Sequence, residues 1–204
     1  MQALSSWASG YPGADLDTLA GTMQMFCYLR LLMWLAPLCC MLMLANQAMA
    51  ATSAEARSDM VRQTVLDILS YTRWPSEPAR LRLCITAPTE YASSLLTIER
   101  QANGRPVEVH RYDMGDEALI QRCDVIYLGV LAPAQRLSLF ERLRGHAILS
   151  ISEQSRECIA DAVFCLQAGK ERVRFRVNLD ALARSGVRVH PAVLKLARAD
   201  EEAR

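Results

Sequence analysis

The sequence lacks a charge excess of either sign. Its 204 residues carry 23 lysines and arginines against 22 aspartates and glutamates, a formal net charge of +1. A nucleic-acid backbone is held by clustered positive charge, so this balance points to no nucleic-acid partner. Aromatic residues make up only 6% of the chain, too few to suggest a stacking platform for single strands. No Cys-x-x-Cys pair is present, which argues against a thioredoxin-type redox centre. The seven cysteines and three histidines show none of the close spacings of a zinc knuckle, and no metal is expected. Also missing are a Gly-x-Ser-x-Gly elbow, a His-Glu-x-x-His helix, a P-loop and a Gly-x-Gly-x-x-Gly turn. These are the local geometries that expose a nucleophile, hold zinc or cradle phosphates.

The residues that remain for chemistry are scattered. His110, His146 and His190 stand apart, and Ser150 and Ser152 flank a strand end with no histidine nearby in sequence. Asp113, Asp116 and Glu117 read as the solvated start of a helix, where carboxylates suit the dipole. No catalytic set is expected, no cofactor is implied, and the chain reads as a non-enzyme.

What is present is first of all a segment without charge, from Leu31 to Ala54. Arg30 precedes the apolar run Leu31–Ala45, and the polar Asn46-Gln47 leads into Ala48-Met49-Ala50. A positive charge, an apolar core of about 15 residues and a small-x-small site form a secretory signal. The expectation is a leader over residues 1–50, cleaved after Ala50, and a periplasmic domain over 51–204. Met1–Thr22 contains no lysine or arginine, and Met23 or Met25 is a plausible true start. The run is long enough for a membrane anchor, but Pro37, Asn46-Gln47 and the alanine motif argue against one. Leu38 before Cys39 is not the small residue that a lipid-attachment site needs.

Export decides how the cysteines are read. Cys27, Cys39 and Cys40 leave with the leader, while Cys84, Cys123, Cys158 and Cys165 stay. An even set in an oxidising compartment points to structural disulfides. Three connectivities are open. One joins Cys158 to Cys165 across a short loop and Cys84 to Cys123. Chain entropy would give those bridges about 2.5 and about 4 kcal/mol respectively.

The pattern after Ala50 alternates. Met60, Val61, Thr64, Val65, Ile68 and Leu69 predict a helix over Ala54–Tyr71, broken at Trp74-Pro75. Strands are expected at Leu81–Ile85, Pro106–Tyr112, Asp124–Val130 and Ala147–Ile151, the third apolar enough to be buried on both faces. Helices are expected from Thr89 to Glu99, Gly115 to Arg122 and Pro133 to Arg144, the last with a stripe of Leu137, Phe140 and Leu143. Cys158–Leu166 and Arg172–Asn178 then pair around Ala168-Gly169. Val173, Phe175 and Val177 share one face of that second strand, and Arg172, Arg174 and Arg176 share the other. A short helix to Arg184, an extended Val187–Val189 and a helix from Pro191 to Ala199 complete the chain. The fold class is α/β: a single three-layer domain with a mixed, mostly parallel sheet, flanked by helices and stapled by disulfides. The arginine row reads as a solvated face that discourages edge pairing, or as a charged partner surface. Phe164 reads as core or as an apolar anchor.

From Val61 to Leu196 the chain resembles the YfiR family of periplasmic regulators. The resemblance is carried by Leu69-Ser70-Tyr71-Thr72-Arg73-Trp74-Pro75, the Cys84 strand, Cys123-Asp124-Val125-Ile126-Tyr127-Leu128-Gly129, and Phe175 through Val189 with its Asn178…Ser185-Gly186-Val187 ending. It implies a non-enzymatic periplasmic protein that binds the periplasmic sensor domain of an inner-membrane diguanylate cyclase and inhibits it. Cyclic-di-GMP and biofilm formation would fall as a result. It also implies a homodimer, an OmpA-like outer-membrane lipoprotein that sequesters the repressor, and two disulfides, assigned as Cys84–Cys123 and Cys158–Cys165. Phe164, Arg176 and Leu182 are the expected partner contacts. The rival reading is a periplasmic module that binds or senses a small molecule beyond the polar carboxyl ends of the strands, Thr86–Pro88, Tyr112-Asp113, Gly129-Val130 and Ser150–Glu153.

Overall fold

The first helix shows how the sequence drives the architecture. In the computed structural model, which describes residues 53–86, 88–153 and 162–198, helix α1 spans residues 53–70. Val61, Val65, Ile68 and Leu69 fall on one face of it and are buried to 1% exposure or less. The helix ends where Thr72 Oγ1 donates to the Ile68 carbonyl at 2.9 Å, just ahead of Trp74-Pro75. Strand β1 (Thr72–Arg73) follows, then β2 (Leu81–Thr86), a 3-10 turn (Ser94–Thr97), β3 (Val107–Tyr112), α2 (Leu119–Arg122) and β4 (Val125–Leu128). Next come α3 (Pro133–Leu143), β5 (Leu149–Ser152), β6 (Phe164–Ala168), β7 (Val173–Val177), α4 (Leu179–Arg184), β8 (Arg188–Val189) and α5 (Val193–Arg198).

Six strands form the main sheet in the order β3-β2-β4-β5-β6-β7, and β1 pairs with β8 in a separate ribbon. Neighbours from β3 to β6 run parallel, and the β6–β7 hairpin is antiparallel. The sheet is therefore mixed and mostly parallel. Alternation sorts its side chains into two cores. Leu81, Leu83 and Ile85 of β2, Val125 and Tyr127 of β4, and Leu149 and Ile151 of β5 meet α1 on one side. Cys84, Ile126 and Leu128 meet Leu119 of α2 and Leu139 and Leu143 of α3 on the other. All four residues of β4 are buried, as its continuous apolar run requires. Cys84 and Cys123 form a disulfide with Cα atoms 5.8 Å apart, pinning the middle of β2 to the residue pair that leads into β4.

Four expectations need correction. Residues 89–99 are not one helix but a loop with a single 3-10 turn. Their polar backbone is held by tertiary partners: Glu153 takes the amides of Glu90 and Tyr91, and Ser58 Oγ accepts from Ser94 N at 2.9 Å. The helix expected from Gly115 forms only over Leu119–Arg122, because Asp116 first makes a turn in which its Oδ1 accepts from Ala118 N at 2.8 Å. The buried stripe of α3 is Leu139 and Leu143, spaced one turn apart, while Leu137 is 60% exposed. The final helix starts at Val193 rather than Pro191, after a turn in which Val193 N donates to the His190 carbonyl at 3.0 Å; its expected end at Ala199 lies outside the described residues. The extended segment after Gly186 is present as β8, and its antiparallel partner is Thr72–Arg73.

Candidate partner-binding surface

In an open α/β sheet the usual ligand site is the crevice where chain order reverses, beyond the carboxyl ends of the strands. Here that point lies between β2 and β4, and the chain's own loop fills it. A Cβ built on Gly129 would sit 1.5 Å from the Pro88 carbonyl oxygen, so only glycine permits this approach. Val130 N donates to the same oxygen at 3.0 Å. Glu153, just past β5 and 3% exposed, locks the loop in place. Its carboxylate accepts from the backbone amides of Glu90 and Tyr91 and from Tyr127 Oη, the last at 2.8 Å. On the far side, Ser58 Oγ of α1 donates to the Tyr91 carbonyl at 2.8 Å. Burial, reinforced by the Glu153 carboxylate, pushes the Tyr127 hydroxyl well above the ordinary tyrosine range. In the sequence Glu153 stands among the small and polar residues at the strand ends. The missed signal was an acid directly after a buried strand, where only fixed donors make a carboxylate tolerable.

The other half of the site region is the C-terminal hairpin. Cys165 lies directly opposite Arg176, and Phe164 opposite Val177. Phe164 is fully buried, with its ring edge-on to Phe175 at a centroid distance of 5.6 Å. Of its two readings, core and apolar anchor, this packing fits core. Arg176 projects from the opposite side of the hairpin and is exposed, whereas Val173 and Phe175 are buried. Leu182, on α4, is half-buried and packs against the α1 side of the sheet. The three expected contacts thus differ in exposure: Phe164 is buried, Leu182 is half-buried and Arg176 is exposed. Helix α4 is set at this spot by Asn178, whose Oδ1 accepts from Ala181 N at 3.0 Å. Cys165 is disulfide-bonded, and its expected partner Cys158 lies outside the described residues.

Between α3 and α4 an open groove of about 280 Å³ has an apolar lining that includes Leu137, Phe140, Leu143, Ile148 and Val163. Arg144 and Arg184 stand at its rim with Glu141, and all three are exposed. Its floor is kept by Ser150, whose Oγ accepts from Val163 N at 3.0 Å. Among the described residues, no group of three or more His, Cys, Asp or Glu is placed to hold a metal ion. No described helix is long and apolar enough to cross a membrane.

Three of the four segments that carry the sequence resemblance meet around the start of β4. Trp74 Nε1 donates to the Asp124 carbonyl at 3.1 Å. The Asp124 carboxylate takes Arg82 through Nη2 at 2.8 Å, Nε at 3.0 Å and the backbone amide at 2.9 Å. That pairing holds the Arg82 guanidinium above its usual range. The Cys84–Cys123 bridge closes the same corner. The class this defines is a disulfide-stapled α/β domain whose switch-point crevice is closed by its own loop. The family model described as YfiR/HmsC-like matches residues 58–198, and the chain belongs to that family. The family is one of periplasmic regulators of diguanylate cyclase, regulatory rather than catalytic.

Proposed function

We propose that this protein is a periplasmic repressor that binds the periplasmic sensor region of an inner-membrane diguanylate cyclase and holds it inactive, lowering cyclic-di-GMP and biofilm formation. The observation that carries this reading is the family match across residues 58–198, which takes in every strand of the sheet. The filled crevice at the switch point supports a protein partner over a small ligand, because the place where such folds take ligands is occupied by the Pro88–Tyr91 loop. The action is a shift of population: the cyclase conformation that binds the repressor better becomes the majority state, by the difference in affinity. An OmpA-like outer-membrane lipoprotein would release the cyclase by sequestering the repressor, and the repressor would act as a homodimer. A signal peptide ending at Ala50 would deliver the domain over 51–204.

Disulfide state would tune the repressor's stability. Cys158–Cys165 is the bridge proposed to be labile, because a short loop stabilises less than a long one. Titration with reductant should release thiols from it before Cys84 and Cys123 react, and simultaneous release from both pairs would overturn the assignment. The functional test is affinity capture of the C-terminally tagged protein from solubilised membranes. Enrichment of a cyclase with a GGDEF domain is expected, and a capture containing none would sink the reading.

A further inference from the structure

The α3–α4 groove has a composition that selects its occupant. We propose that it receives a helical segment of the protein partner, with an apolar stripe that fills the groove and acidic residues on either side of the stripe. Its volume of about 280 Å³ lies at the small end of ligand-sized sites, which run from roughly 300 to 1,000 Å³. It matches a slot for one or two apolar anchor side chains, the form in which binding energy concentrates at protein interfaces. Leu137 is 60% exposed at the lip, although the neighbouring Leu139 and Leu143 of the same helix are buried. Two features set the charge of the partner. Arg144 and Arg184 both line the groove beside its apolar residues, and among the described residues neither guanidinium has a hydrogen bond or ion pair. Glu141 is the single acid at the rim. Carboxylates flanking an apolar stripe would pair with these two cations, as in other helix-in-groove docking. A basic helix would place its charges against them.

The identity of the partner as the cyclase's periplasmic region rests on the function proposed above; the groove's preference does not, and the experiment separates the two. The full protein is titrated with a fluorescent helical peptide bearing a Leu/Phe stripe flanked by glutamates, and with a twin in which lysines replace the glutamates. The glutamate peptide is expected to bind at least about tenfold more tightly. The double variant Arg144→Glu/Arg184→Glu should reverse that order, and Leu137→Lys should weaken both peptides about tenfold or more. Leu96→Lys, at another exposed leucine (45% exposed) on the 3-10 turn, should leave both unchanged. Unaltered thermal melts will show that these surface variants fold. Equal binding of the two peptides, or wild-type affinity in the groove variants, overturns the proposal. So does a loss of self-association in Leu137→Lys with peptide binding intact, which would assign the groove to a second copy of the chain. The same variants in membrane capture address the partner. If the wild-type protein captures no cyclase while the peptide preference and its reversal hold, the repressor reading fails and the groove assignment stands.

Discussion

The two halves of the sheet are packed differently. Around β2 and β4, both faces are covered, one by α1 and the other by α2 and α3. A disulfide and a three-pronged Arg82–Asp124 contact tie that half together. In the β6–β7 hairpin Phe164 meets Phe175 on one face and Cys165 is buried on the other, but the last strand turns Arg174 and Arg176 away from the core. The first half concentrates stability. The second carries the exposed side of β7 and, beside it, the apolar groove between α3 and α4. A domain whose whole sheet was wrapped like β4 would be sturdier and would have less surface to recognise anything with.

The contrast can be broken from the stable side first. Cys84→Ala/Cys123→Ala removes a bridge with a sequence separation of 39. It should cost about 4 kcal/mol of unfolding free energy in urea titrations. Leu139→Ala, in the covered half, should lose about 2–5 kcal/mol, while Leu137→Ala two residues away should stay within about 0.5 kcal/mol. Equal losses at the two leucines would erase the distinction between the buried and exposed faces of α3. Glu153→Gln leaves one acceptor oxygen where the carboxylate served three donors. The expected loss is about 1–3 kcal/mol, together with earlier proteolysis in the Pro88–Tyr91 loop.

A smaller effect appears at high pH. The Tyr127 hydroxyl titrates higher in the folded protein than in the unfolded chain, because burial and Glu153 both oppose its ionisation. Its contribution is therefore complete below the unfolded value near 10 and is lost as pH rises above it. Stability should fall by about 1.4 kcal/mol per pH unit through this group above pH 10. Tyr127→Phe should show a shallower alkaline slope in the same denaturation series. The smallest effect is expected at the hairpin's open face, where Arg174→Ala should change stability by less than about 0.5 kcal/mol.

Much of the stable half was legible in the sequence, because its signals are local. The runs at Leu81–Ile85 and Asp124–Val130 announce strands, and the alternation of arginine with Val173, Phe175 and Val177 gives the two faces of the hairpin strand. The features that were not legible depend on partners far away in sequence. Residues 89–99 look helical, but Glu153 and Ser58 take the loop's amides. The two-residue strands β1 and β8 carry no periodicity that could predict their pairing. Leu137 and Leu139 are alike in composition, and only the angle at which α3 lies on the sheet decides which one is buried. Phe164 was ambiguous between core and anchor for the same reason; the edge-on contact with Phe175 decides it.

The most direct test of the central claim is the cyclic-di-GMP content of cells that lack this protein, measured beside cells in which it is restored. Restraint of a cyclase requires the level to rise on loss of the protein and to return on its restoration. A level that stays unchanged or falls on loss of the protein would contradict the repressor account.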